Sequence, residues 1–200
     1  MRVLAFVVSS FALAQLLVAA ACGTGGAAPE AGPGPVAPVA ARRATVVVEA
    51  RSGSTLSGKV LFEESGAPDA SGVRALRITI DLAGLAPGDH GFHVHQHGDC
   101  SDPKADSAGP HFDVGGHAHG DLHDALSHVG DLGNLTADAS GRALKVVEGV
   151  TKVSLAPGAA NGLVGRAIVV HDKPDDLKTQ PTGASGPRIG CGVVALDPGP

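Results

Sequence analysis

In the stretch VRALRITIDL, Leu76, Ile78, Ile80 and Leu82 share one parity while Arg77, Thr79 and Asp81 share the other. Successive side chains of a strand point to opposite faces. This alternation therefore describes a strand with one face on a core and one in water, a sorting that a helix of period 3.6 does not produce. The same reading places strands at TVVVEA (45–50), LSGKVLFEES (56–65), GFHVHQ (91–96), GLVGRAIVVH (162–171) and IGCGVVAL (189–196). Two more flank a turn at Asp138–Gly141 in NLTADASGRALKVVEG. With no Trp, no Tyr and five Phe, the core must rest on Val, Ile, Leu and Ala, while 29 Gly and 14 Pro punctuate turns. The expected fold is all-β: an eight-stranded antiparallel sandwich or flattened barrel with two long loops, 99–129 and 172–188.

Ahead of that domain, one Arg and an uncharged apolar run from Val3 to Ala21 read as a signal peptide. The run ends in small residues before Cys22 and resembles a bacterial lipoprotein signal, which implies acylation of Cys22 after cleavage and a membrane partner through an N-terminal lipid anchor. The layout is then a signal at 1–21, a Gly/Pro/Ala-rich tether at 22–43 and one folded domain at 44–200. Three cysteines leave one odd in an exported protein. Lipidation of Cys22 would leave Cys100 and Cys191 to pair in an oxidising compartment, the alternative for those two being metal ligation. The net charge of −5 argues against nucleic acid as a partner.

Chemistry concentrates in the histidines. His93 and His95 alternate on one strand, so their side chains stand side by side about 7 Å apart along the backbone, within reach of one metal ion. The long loop adds His111, His117, His119, His123 and His128, followed by Asp131, and His171 ends a distant strand. Imidazole suits copper and zinc, and a carboxylate completes a zinc shell better than a copper one.

Five ordered segments, GFHVHQHGD, SAGPHFD, HVGDLGNLTAD, GRAIVVHDKPDDL and GPRIGCGV, make residues 45–196 resemble the copper/zinc superoxide dismutases. The resemblance implies a Greek-key strand arrangement and dismutation of superoxide to dioxygen and hydrogen peroxide in an extracytoplasmic compartment, with one copper and one zinc per subunit. It implies copper ligands His93, His95, His111 and His171, zinc ligands His111, His119, His128 and Asp131, and His111 as the bridge that also carries a proton. Arg188 would dock the anion, Asp175 would link a copper histidine to a zinc histidine, and Cys100–Cys191 would be the family's disulfide. His119 rather than His117 lies at the family's spacing from the bridge. His97 and His123 read as surface residues, and His90 as structural beneath the copper strand. The resemblance is compatible with a homodimer. The Cys100-to-His111 interval looks like that of exported bacterial forms, and the 172–188 loop lacks the charged cluster of the cytosolic enzymes. Two rivals need fewer of these residues: a copper carrier has no use for Arg188, Asp131 or a bridge, and an adhesion sandwich has no use for any ligand.

Overall fold

The computed structural model describes residues 40–70 and 72–199. Cys22, the apolar leader and the tether up to residue 39 lie outside them. Eight strands follow in order: β1 (Arg43–Ala50), β2 (Ser57–Ser65), β3 (Ala75–Ala83), β4 (Gly88–His95), β5 (Asp131–Ala137), β6 (Ala143–Val150), β7 (Ala167–His171) and β8 (Arg188–Val193). All pair antiparallel in the order β5-β4-β7-β8-β1-β2-β3-β6. The end strands approach each other, Lys145 of β6 donating from Nζ to the Asn134 carbonyl of β5 at 2.7 Å. The result is an almost closed, flattened barrel.

The alternation in β3 is obeyed: Leu76, Ile78, Ile80 and Leu82 are buried while Arg77 and Asp81 are exposed. They meet Val46 and Val48 of β1 and Val60 and Phe62 of β2 in one core. Each fully buried side chain of this kind contributes about 1.5–3 kcal/mol. β1 starts at Arg43, and Arg42 already grips buried Glu64 through Nε at 2.8 Å and Nη2 at 2.6 Å. The last described residues return to the same place. Asp197 donates its N–H to the Arg43 carbonyl at 2.9 Å and accepts from the Thr45 N–H at 2.9 Å.

A third long connection, 151–166, joins β6 to β7 beside the two long loops expected. Residues 162–166, read as strand from their apolar content, belong to it: Gly165 has φ +80° and the Arg166 N–H turns back to the Leu163 carbonyl at 3.0 Å. Val153, Leu155 and Leu163 are buried in the core. They are apolar because they belong to the core, which gives Leu163 the character of a strand residue without the conformation.

The strands that carry the histidines differ from the rest. β7 is buried throughout, and β4 is buried from His90 to His95. Phe92, Val94, Ile168 and Val170 face the core, so Ala167, Val169, His93 and His95 take the outer face. The first long loop covers that face. A short 3₁₀ turn, Asp106–Ala108, lays Ala105 and Ala108 on Ala167, Val169 and Cys191. Cys100 and Cys191 form a disulfide 91 residues apart in sequence, a loop closure of about 4–5 kcal/mol in the chain-entropy account.

Candidate metal centre

The site lies between the outer face of β4, β7 and β5 and the two loops. Phe112 inserts beside β4, its N–H donating to the Val94 carbonyl at 2.8 Å, and the Gly130 N–H donates to the Phe112 carbonyl at 2.7 Å. A Cβ on Gly130 would stand 2.3 Å from the Val94 carbonyl oxygen, so only glycine admits this approach. The insertion brings His111 and Asp131 to β4, where Asp131 is paired with His93.

His93, His95, His111 and His171 converge with ligand-capable atoms within 4.8 Å of one another. Their ring orientations are set from behind. His95 Nδ1 faces the Gly109 carbonyl at 2.8 Å and His171 Nδ1 the Gly186 carbonyl at 3.0 Å, which leaves both Nε2 atoms inward, 3.4 Å apart. His93 is reversed: its Nε2 meets Asp175 Oδ2 at 2.7 Å, so its Nδ1 turns inward. Burial pulls the pKa of His111 to about 4 and that of His171 to about 3, and holds His95 well below the usual value. These three rings are neutral, and each can offer a lone pair.

The second group, His111, His119, His128 and Asp131, converges to the same tolerance. One oxygen, Asp131 Oδ1, faces three Nδ1 atoms: His111 at 2.9 Å, His119 at 2.9 Å and His128 at 3.4 Å. Asp131 Oδ2 accepts the Gly120 N–H at 2.9 Å. Burial would raise the Asp131 pKa, but hydrogen bonds from His111 and His119 hold it far below the carboxylate range. Burial would likewise lower His119, but its bonds to Asp131 and to Asp175 Oδ1, 2.8 Å from its Nε2, raise it to about 9.

Asp175 thus links His93 and His119, one from each group. The loop lies close over this pair. Gly183 has φ +63°, and a Cβ there would come 1.8 Å from Asp175 Oδ1 and 2.6 Å from His119 Nε2. Arg188 heads β8 opposite His171, its Nη1 donating to the Ala105 carbonyl at 2.7 Å. Burial lowers its pKa against the pull of Asp106 and Asp102, and its charge helps to depress His95 and His171.

The remaining histidines have other partners or none near the site. His117 turns Nδ1 to Asp113 Oδ1 at 2.8 Å, and His97 and His123 are exposed. Buried His90 sets Nδ1 on the His171 carbonyl and Nε2 on the Ala86 carbonyl, both at 2.8 Å, tying β4 to β7. Sequence reasoning missed two side chains at the site, Gln180 and Asn134. Nothing in their type or spacing separates them from other loop and strand amides.

Do these residues fit metal ions? His93 Nδ1, His111 Nε2 and His128 Nδ1 are buried without a hydrogen-bond partner. Orphaned nitrogens of this kind cost about 1–3 kcal/mol each unless something else occupies their lone pairs. Two point into the all-imidazole group and one into the group around Asp131. The donor sets suit copper and zinc respectively, with His111 offering Nε2 to one and Nδ1 to the other.

The family model described as Copper/zinc superoxide dismutase (SODC) matches residues 56–194. Over 153 residues the chain is 40% identical to "Superoxide dismutase [Cu-Zn]" of Onchocerca volvulus, covering 72% of this chain and 91% of that protein. Over 128 residues it is 42% identical to "Extracellular superoxide dismutase [Cu-Zn]" of Brugia pahangi, covering 60% and 62%.

Proposed function

The chain belongs to the copper/zinc superoxide dismutase family, and from that membership we propose that it dismutates superoxide to dioxygen and hydrogen peroxide outside the cytoplasm. The observation that carries the reading is the pair of ligand clusters sharing His111, with orphaned nitrogens aimed into each. His93 Nδ1, His95 Nε2, His111 Nε2 and His171 Nε2 would hold copper. His111 Nδ1, His119 Nδ1, His128 Nδ1 and Asp131 Oδ1 would hold zinc. When bound, copper supplies one-electron redox chemistry and zinc a fixed charge that orients the shared ring.

The chain's own residues supply the remainder. Arg188 docks the superoxide anion; its guanidinium is aimed by the Ala105 carbonyl, which the Cys100–Cys191 bridge keeps over β8. His111 would take a proton at Nε2 when that nitrogen is free of copper and give it to the peroxide product, while its Nδ1 stays on the zinc side beside Asp131. Asp175 fixes the tautomers of His93 and His119 from outside both clusters.

A copper carrier would share the all-imidazole cluster but has no need of Arg188. The test is the second-order rate with superoxide, by pulse radiolysis, for Arg188→Lys, Arg188→Ala and Arg188→Glu at matched metal content. The expected order is wild type, Lys, Ala, Glu, with a fall of roughly tenfold or more at Ala and weaker salt dependence as the charge is lost. Equal rates across the series overturn the dismutase role of Arg188.

The disulfide and the extracellular relative support export. The proposed layout is a signal at 1–21, a tether at 22–43 and the enzyme at 44–200, anchored through acylated Cys22, with a homodimer compatible with it. Intact mass of the exported protein should show cleavage before Cys22 and added acyl chains. An unmodified Cys22, or cleavage elsewhere, removes the anchor.

A further inference from the structure

We propose that Gln180 is a positioning residue for the zinc-side cluster: its side-chain amide acts as a neighbouring strand would and fixes the backbone of His119. The His119 N–H donates to Gln180 Oε1 at 2.7 Å, and Gln180 Nε2 donates to the His119 carbonyl at 2.9 Å. The other Nε2 hydrogen goes to the Lys178 carbonyl at 3.0 Å. Among the described residues, these are the hydrogen bonds that His119 makes through its main chain. His119 is buried and lies outside any strand, so no ladder satisfies these groups.

The same device recurs nearby. Asn134 of β5 donates from Nδ2 to the Asp175 carbonyl at 2.9 Å and accepts the Asp175 N–H at Oδ1 at 2.8 Å. The Asp175–His119 pair is therefore gripped at each end by an amide that mimics a peptide. One amide comes from the barrel and one from the second long loop. With its backbone held, His119 retains two side-chain torsions, and Asp131 and Asp175 set both.

Lifting the 178–183 segment must break the Gln180 clamp, leaving a buried N–H and carbonyl unpaired, a cost that falls on any path by which the His119 ring swings away. Gln180 thereby slows zinc release, and it couples the second loop to the first. The inference rests on the proposed role of His119 as a zinc ligand.

The test measures zinc release into a chelator from the copper- and zinc-loaded protein, with copper content and the visible spectrum of the cobalt(II)-substituted zinc site. Gln180→Leu should release zinc about ten- to a hundredfold faster and shift the cobalt bands, with copper content unchanged. Gln180→Glu should fall between Leu and wild type, since it keeps the acceptor for the His119 N–H and loses the donor to the carbonyl. It also decides the matter if the Leu variant does not fold. Wild-type release rates and cobalt bands in these variants overturn the proposal, as does equal loss of both metals alongside thermal stability. His119→Ala is the control: if it releases zinc no faster than wild type, the zinc-ligand reading fails, whatever Gln180 does.

Discussion

The two halves of the centre share His111 and differ in almost everything else. On one side, His93, His95 and His171 ride on β4 and β7, and burial keeps His95 and His171 neutral. On the other, His119 and His128 sit in the first long loop around an anionic carboxylate from the start of β5, and His119 is raised to about 9. The strand-borne side is a set of imidazoles carried on paired strands, suited to an ion that changes oxidation state. The loop-borne side is organised by charge, so an ion there also organises the loop. His111 is the ring that the two groups have in common.

The sharpest way to break that division is a pair of substitutions. Asp131→Asn removes the charge around which the loop side is built and should weaken zinc on the order of a thousandfold while copper stays. His95→Ala should abolish turnover and copper retention and leave zinc in place. Competition titrations with each metal read both, and parallel loss of both metals in either variant would mean the halves are one unit.

His119 and the depressed histidines of the centre should also answer pH in opposite directions in the metal-free protein. His119, raised in the fold, contributes stability that is complete below about pH 6.5 and lost as pH rises through about 9. His111 and His171, depressed to about 4 and about 3, contribute no penalty above about pH 6.5 and destabilise as pH falls toward those values. Urea midpoints across pH should therefore peak near 6.5. His119→Gln should flatten the alkaline limb and His171→Gln should blunt the acid limb. A peak that neither variant moves contradicts the assignment.

The smallest effect tests the link between the halves. Asp175→Asn keeps the shape of the side chain that touches His93 and His119 but removes its charge, and should weaken both metals about tenfold to a hundredfold. A loss confined to one metal would show that Asp175 serves one half.

Much of the fold is legible in the sequence. The parity of Leu76 to Leu82 announced a half-buried strand, and the structure gathers the residues that the resemblance named into two clusters. Residues 162–166 read as strand from their apolar content, but Leu163 is apolar because it packs into the core from a connection. The groups that aim the rings were invisible for a general reason. The carbonyls of Gly109, Gly186 and Ala105 belong to the backbone, which every residue has, and only the fold decides which ones face a histidine or Arg188. Amides such as Gln180 and Asn134 suffer the same anonymity, since their partners are main-chain groups far along the chain.

The meeting of Asp197 with Arg43 and Thr45, and the pairing of β1 with β8, place the start and finish of the barrel side by side. The domain is in effect cyclic along the chain, its two ends meeting where β1 pairs with β8. A short linker could close 197 to 43, and new ends could open in the exposed β2–β3 connection around residues 66–70, far in sequence from every ligand. Such a circular permutant would keep each histidine between its present chain neighbours, so the point at which the chain begins matters less to this centre than the wall it is built on.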